Sequence, residues 1–161
     1  MYFLSHEIII DLCFEKSNPN NHITERMVFI MEKVVQFLND AKTFYIATLD
    51  DDNQPRVRPF GAAAIIDGKL CIATNNQKNV FAQMKKNPKV EISGMAGGKW
   101  IRLTATTEEI DTNEARQAML DAHPELGSMY KVDDGIFAII ALVNATAQIC
   151  SFTEAPEEIK F

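Results

Sequence analysis

The sequence predicts a mainly β fold of the α+β kind: six or seven antiparallel strands closing into a barrel, with helices packed outside. Three observations carry this. From Thr43 onward, apolar and β-branched residues recur with the spacing of strands rather than helices. The candidate strands are separated by tight turn signals such as Asp67-Gly68 and Ala96-Gly97-Gly98, and strands joined by so short a link run antiparallel. Stretches with helical spacing fall only at the start, in the middle and near the end.

Residues 1–26 read as a peripheral N-terminal extension, in which the polar, turn-rich "EKSNPNNHITER" separates "EIIIDLCF" from the first helix, and residues 27–161 as one domain. The helix is predicted over Thr24–Asn39, capped by Thr24, with Met27, Ile30, Met31, Val34, Val35 and Leu38 on one buried stripe. "TFYIATL" (43–49) is the first strand and "DDDNQP" the turn after it. "RVRPFGAAAII" (56–66) is a longer strand, in which Pro59 and Gly61 suggest a bulge or an edge. The Asp67-Gly68 turn pairs it with "KLCIAT" (69–74). A second helix follows from Gln77 to Lys86, capped by Asn75 or Asn76 and ended by Asn87-Pro88. "KVEISGM" (89–95) and "KWIRLTATTEEI" (99–110) form another hairpin across "AGG". Asp111 and Glu114 resemble a capping box for a helix that buries Ala115, Ala118, Met119 and Ala122. After the loop "HPELGSMYKVDDG", the strands "IFAIIALV" (136–143) and "ATAQICSF" (145–152) hinge at Asn144.

A chain of 161 residues holds one domain with a true core. Its 22 acidic and 16 basic residues give a formal charge of −6, which argues against a general nucleic-acid binder, since that needs a basic face to displace counterions. No apolar run reaches the roughly 20 residues that cross a bilayer. The N-terminal stretch lacks the basic n-region of a signal peptide. Cys13, Cys71 and Cys150 show no CxxC spacing, and His6, His22 and His123 no HExxH pattern. Neither a disulfide framework nor a metal site is expected, and a cytoplasmic setting with reduced thiols fits.

Against this acidic background, Arg56 and Arg58 lie two apart on one strand and so share a face. Their planar guanidinium forks match phosphate oxygens. Pro59 has no N–H, which leaves room for a ligand against the backbone of Arg58, Phe60 and Gly61. The hairpin carries Thr74 toward the arginine pair, and "NNQK" then opens a helix whose N-terminal N–H groups and Lys78 favour a bound phosphate. Two arginines on a strand are more often a solvated face, so spacing alone leaves both readings open.

The run "FYIATLDDDNQPRVRPFGAAAIIDGKLCIATNNQKNVFAQMKKNPKVEIS" resembles the pyridoxamine 5′-phosphate oxidase-like family of flavin-binding split β-barrels. The matching pieces are the "QPRVRP" strand, the "DGKLxIAT" hairpin, the "TxxxKxxxxQxxxNP" helix and the "WIRLTA" strand, in that order, over about residues 31–152. The resemblance implies a split barrel and a homodimer with FMN in clefts at the subunit interface. Carried over residue by residue, the strand Arg56, Val57, Arg58, Pro59 and Phe60 would line the flavin, with one of the arginines reaching its phosphate. Ala73 and Thr74 would sit beside it, Lys78 with Asn79 would hold the phosphate, and Trp100 would pack at the flavin from a neighbouring strand. True pyridoxamine phosphate oxidases end in a basic, Trp-containing tail that grips the substrate phosphate. This chain ends "ICSFTEAPEEIKF", so vitamin synthesis is not expected. The implied protein is an FMN-dependent oxidoreductase acting on an unknown small molecule, with a deazaflavin or no cofactor as alternatives. A flavin- or anion-binding or sensing module without turnover is the rival. No Ser-His-Asp or Cys-His arrangement stands out, and no catalytic residue is named.

Overall fold

The computed structural model describes the backbone of residues 19–161 and the side chains from Met27 onward. Helix α1 spans Pro19–Asp40, so Thr24 lies inside it rather than at its cap, and it crosses the boundary expected between residues 26 and 27. Residues 1–18, with "EIIIDLCF", lie outside the described residues. Met31, Val34 and Leu38 turn the predicted apolar stripe into the core. The helix ends at Asp40, and two residues on Lys42 takes φ 59, a left-handed conformation more usual for glycine.

Eight strands follow, paired antiparallel throughout, in the order β2-β1-β5-β6-β7-β4-β3, with β8 on β7. They are β1 (Phe44–Leu49), β2 (Pro55–Phe60), β3 (Ala63–Ile66), β4 (Lys69–Asn75), β5 (Lys89–Ala96), β6 (Lys99–Ile110), β7 (Phe137–Cys150) and β8 (Glu157–Lys160). Between β4 and β5 lies α2 (Asn79–Lys86), and between β6 and β7 lie α3 (Asn113–Ala122) and a short 3-10 turn over Pro124–Ser128. The ends of the strand order, β2 and β3, are consecutive in the chain and separated only by Gly61 and Ala62. Three backbone steps span at most about 11 Å, so the curled sheet brings its edges together without joining them by a ladder. This open seam is what makes the barrel split.

Several further expectations are corrected. The strand predicted over 56–66 is two strands, because the chain leaves the β1 ladder at Phe60 and joins β4 only from Ala63. The two strands predicted around Asn144 are one, β7. Asn144 takes φ 50 beside a register shift between Thr104 and Thr106, so the residue bends a continuous strand. β8 raises the count to eight; only Ile159 of its four residues is buried, which left its sequence without a strand signature. Thr112 rather than Asp111 caps α3, its hydroxyl accepting from Ala115 N at 3.2 Å. Of that helix's predicted buried face, Ala115 and Met119 are buried and Ala122 is exposed.

The main core fills the barrel with Phe44, Ile46, Leu70, Ile72, Ile92, Ile101, Leu103, Ile140 and Leu142 under α1 and α2. A second cluster, with Cys71, Ala115, Met119, Phe137, Ile139 and Ala141, lies beneath α3 on the other face of β4 and β7. Alternate residues of β7 serve the two clusters, which is why "FAIIALV" reads as an unbroken apolar run.

Candidate functional site

On β2, Arg56 and Arg58 stand opposite Thr48 and Ile46 of β1 and share a face, as their spacing predicts. Their situations then diverge. Arg56 is exposed, and its Nε donates to Asp50 Oδ2 at 2.8 Å. Asp50 anchors the β1–β2 turn, its Oδ1 accepting from the backbone N–H groups of Asp52 and Gln54. The Arg56 hydrogen bond holds the Asp50 carboxyl below its ordinary pKa, against a smaller opposing effect of burial. Arg58 is half-buried and pairs with no carboxylate among the described residues. It donates to Thr48 Oγ1 at 2.6 Å and to Gln83 Oε1 of α2 at 2.7 Å. Burial, then the charge of Arg56, lowers its pKa, the mark of a guanidinium short of a counter-charge.

The second side of the site comes from the end of β4 and the start of α2. Beyond the last β3 pairing, Ala63 with Ile72, β4 continues to Ala73 and Thr74 past the seam. Thr74 is 3% exposed. Asn75 Oδ1 accepts from Gln77 N at 2.7 Å, turning the chain, and Asn76 is tied to the approach of β7 through Ile136 O and Gly135 O. This turn delays the helix, so Lys78 sits at the N-cap, with no side-chain cap bond, and neither Asn75 nor Asn76 does. The chain presents there a helix N-terminus and an exposed ammonium.

These two sides enclose a cavity of 420 Å³ lined by Arg58, Pro59, Phe60, Ala73, Thr74 and Lys78 of the predicted set. Residues that the sequence reading missed complete it: Lys42 after α1, and Glu125, Leu126, Met129 and Tyr130 around the 3-10 turn. Tyr130 stacks on Phe137 at 4.6 Å between centroids, and Phe60 packs on Phe44. Lys42, Arg58 and Lys78 join none of the ion pairs formed among the described residues. The cavity's one acid, Glu125, is bonded to His123 Nδ1 at 3.0 Å. Its own backbone N–H, then that imidazole, hold Glu125 below the usual carboxylate range.

The remaining predicted residues lie elsewhere. Arg56 and Asn79, with the other wall of Arg58, line an adjoining polar groove of 750 Å³ whose ion pairs, Asp50 with Arg56 and Asp51 with Lys86, are internal. Val57 is exposed on the opposite face of β2. Trp100, the second residue of β6, lies opposite Met95 and Cys150, packs at a tilt against Phe152 with ring centroids 5.1 Å apart, and lines neither cavity. A larger hollow of 820 Å³ between α1, β3 and β8 contains none of the predicted residues, and its cation Lys33 is paired with Glu157. Unpaired positive charge therefore gathers in the smaller cavity. Among the described residues no group of three or more His, Cys, Asp or Glu is placed to hold a metal, and no helix is long and apolar enough to cross a membrane.

An open antiparallel barrel defines a class of fold, and known proteins share it. The family model for pyridoxamine 5′-phosphate oxidase matches residues 30–142, and the chain belongs to that family. A crystal structure of a NimC/NimA family protein from Clostridium acetobutylicum is 43% identical, covers 87% of this chain and 98% of its own, and superposes with a TM-score of 0.81. General Stress Protein 26 from Bacillus anthracis shares the fold at 17% identity and a TM-score of 0.63, over 87% of this chain and 99% of that one. So does a heme binding protein from Mycobacterium smegmatis, at 15% identity and 0.65, over 81% of this chain and 57% of that one. No curated protein matches the chain.

Proposed function

We propose that the protein is an FMN-binding oxidoreductase acting on a small molecule in the cytoplasm, as a homodimer with the cofactor at the subunit interface. The observation that carries the reading is electrostatic. In an acidic chain, Lys42, Arg58 and Lys78 line one cleft, none of them in an ion pair among the described residues, against a single carboxylate, Glu125, which is bonded to His123. Such a cleft stabilises a dianionic group, and Pro59, Phe60, Leu126 and Tyr130 give it an apolar wall for an aromatic ring. The residues thus fit a phosphorylated flavin, FMN or a deazaflavin relative. When bound, the flavin supplies the redox chemistry. Arg58 and Lys78 would hold the phosphate, with Thr74 in the same lining, and the apolar wall would exclude water from the ring.

A second reading, a flavin carrier or sensor without turnover, is favoured by one feature. The cavity's titratable groups other than its cations are Glu125, bonded to His123, and Tyr130, stacked on Phe137, which leaves no group poised as acid or base. The absorption spectrum and mass of the ligand that co-purifies test the first claim; a protein that is colourless and refuses added FMN overturns it. Bleaching by a reduced nicotinamide with reoxidation in air supports the enzyme. A yellow protein inert to reductants supports the carrier.

A further inference from the structure

Arg58 is held by acceptors that are all uncharged. Its Nη1 donates to Thr48 Oγ1 at 2.6 Å and to the Arg56 carbonyl at 2.9 Å, and its Nη2 donates to Gln83 Oε1 at 2.7 Å. Thr48 Oγ1 donates to the same Gln83 oxygen at 2.6 Å, closing a ring of three side chains. A guanidinium only donates, so the amide cannot be turned over without losing its bond to Arg58. One Gln83 oxygen serves Nη2 and Thr48, while Thr48 serves Nη1, so the pair occupies the Nη1–Nη2 edge of the guanidinium plane. The other edge, Nε with the second Nη2 proton, makes no hydrogen bond among the described residues. That edge is a side-on fork matched to two oxygens of one anion.

The clamp is also built to stay neutral. Asp50 lines the same groove as Arg58 but is engaged by Arg56, and Thr48 is 3% exposed, which shields the contact from water. A carboxylate at either clamp position would have quenched the charge that an anion needs. We infer that Thr48 and Gln83 are positioning residues: they hold Arg58 so that its Nε–Nη2 edge presents a pre-oriented fork to a phosphomonoester in the cavity. This rests on the phosphorylated-flavin reading and assigns it a specificity device on α2 and β1, outside the lining of the cavity itself.

The test titrates the full-length protein with FMN and with riboflavin, which lacks the phosphate, by flavin fluorescence. Gln83→Leu and Thr48→Val should each weaken FMN about tenfold, the scale of one charge-assisted contact, and leave riboflavin unchanged. Thr48→Ser, which keeps the hydroxyl, should bind FMN as the parent does. In an Arg58→Ala background, Gln83→Leu should cost nothing further, because there is no fork left to orient. Equal losses for both flavins, or additive losses in the double variant, would show Thr48 and Gln83 to be ordinary packing and overturn the inference while leaving the phosphate site standing. A parent protein that binds riboflavin as tightly as FMN would instead remove the phosphate site, and the inference with it. If Gln83→Leu fails to fold, the Thr48 pair carries the same comparison.

Discussion

Three cations on the β2–α2 side of the protein should contribute unequally to anion binding, in an order set by their surroundings. Arg58 is half-buried, pre-oriented and without a counter-charge, so Arg58→Ala removes a charge-assisted contact worth about 1.5–3 kcal/mol and weakens FMN by roughly ten- to a hundredfold. Lys78 is exposed at the N-cap of α2. A unit charge about 4 Å from an anion in a water-like medium gains only about 1 kcal/mol, so Lys78→Ala costs roughly fivefold. Arg56 is already neutralised by Asp50 at 2.8 Å, so Arg56→Ala leaves the affinity nearly unchanged. Salt separates the first two. At 1 M ionic strength the Debye length is about 3 Å, and the Lys78 effect should vanish while most of the Arg58 effect survives. Isothermal titration with FMN at low and high salt reads all six values. Arg56→Ala as damaging as Arg58→Ala, or three equal losses that salt removes together, would refute the assignment of distinct roles.

Other consequences concern the scaffold. A Cβ on Gly94 would meet Phe44 Cβ at 3.1 Å and Ala41 Cβ at 3.3 Å, so Gly94→Ala should destabilise by about 1–3 kcal/mol, read as a lower melting temperature. Burial pushes the Cys71 thiol up to about 12, so iodoacetamide at pH 8 should leave it unmodified in the native protein and label it only in denaturant. Burial raises the Asp134 carboxyl, but N–H donors from Lys131, Ile136 and Phe137 outweigh it, and its folded pKa lies below the unfolded one. That stabilisation is present above the unfolded pKa and disappears as pH falls through the folded one. Asp134→Asn should therefore lower stability at pH 7 and lose that deficit near pH 2, as measured by urea unfolding.

Much of this architecture could be read from local chemistry. The hairpins turning at Asp67-Gly68 and Gly97-Gly98 were legible because both turns need positive φ, which Asp67, Gly68, Gly97 and Gly98 adopt. The seam was not. Pro59 and Gly61 signalled an irregularity, but nothing local said that Phe60 and Ala63 would serve opposite ends of the sheet. Within β7, Asn144 resembles a turn in the sequence, but its left-handed backbone instead absorbs a bulge opposite Thr104 and Thr106. At the site, Arg58, Thr74 and Lys78 were legible from strand parity and the mouth of a helix. Lys42, Leu126 and Tyr130 were not, since they arrive from loops distant in sequence. The difference between Arg56 and Arg58 was equally hidden, because it depends on which of them meets Asp50.

The open seam between β2 and β3 bears on mechanics as well as on shape. Arg58 stands on one bank, Thr74 and Lys78 on the other, and the sheet supplies no rungs between them. A ligand gripping both banks would act as a removable rivet, stiffening the one place where the wall is unstitched. Loading and unloading would then be felt as tightening and slackening along Gly61–Ala62, and a protease probing that link would distinguish the two states.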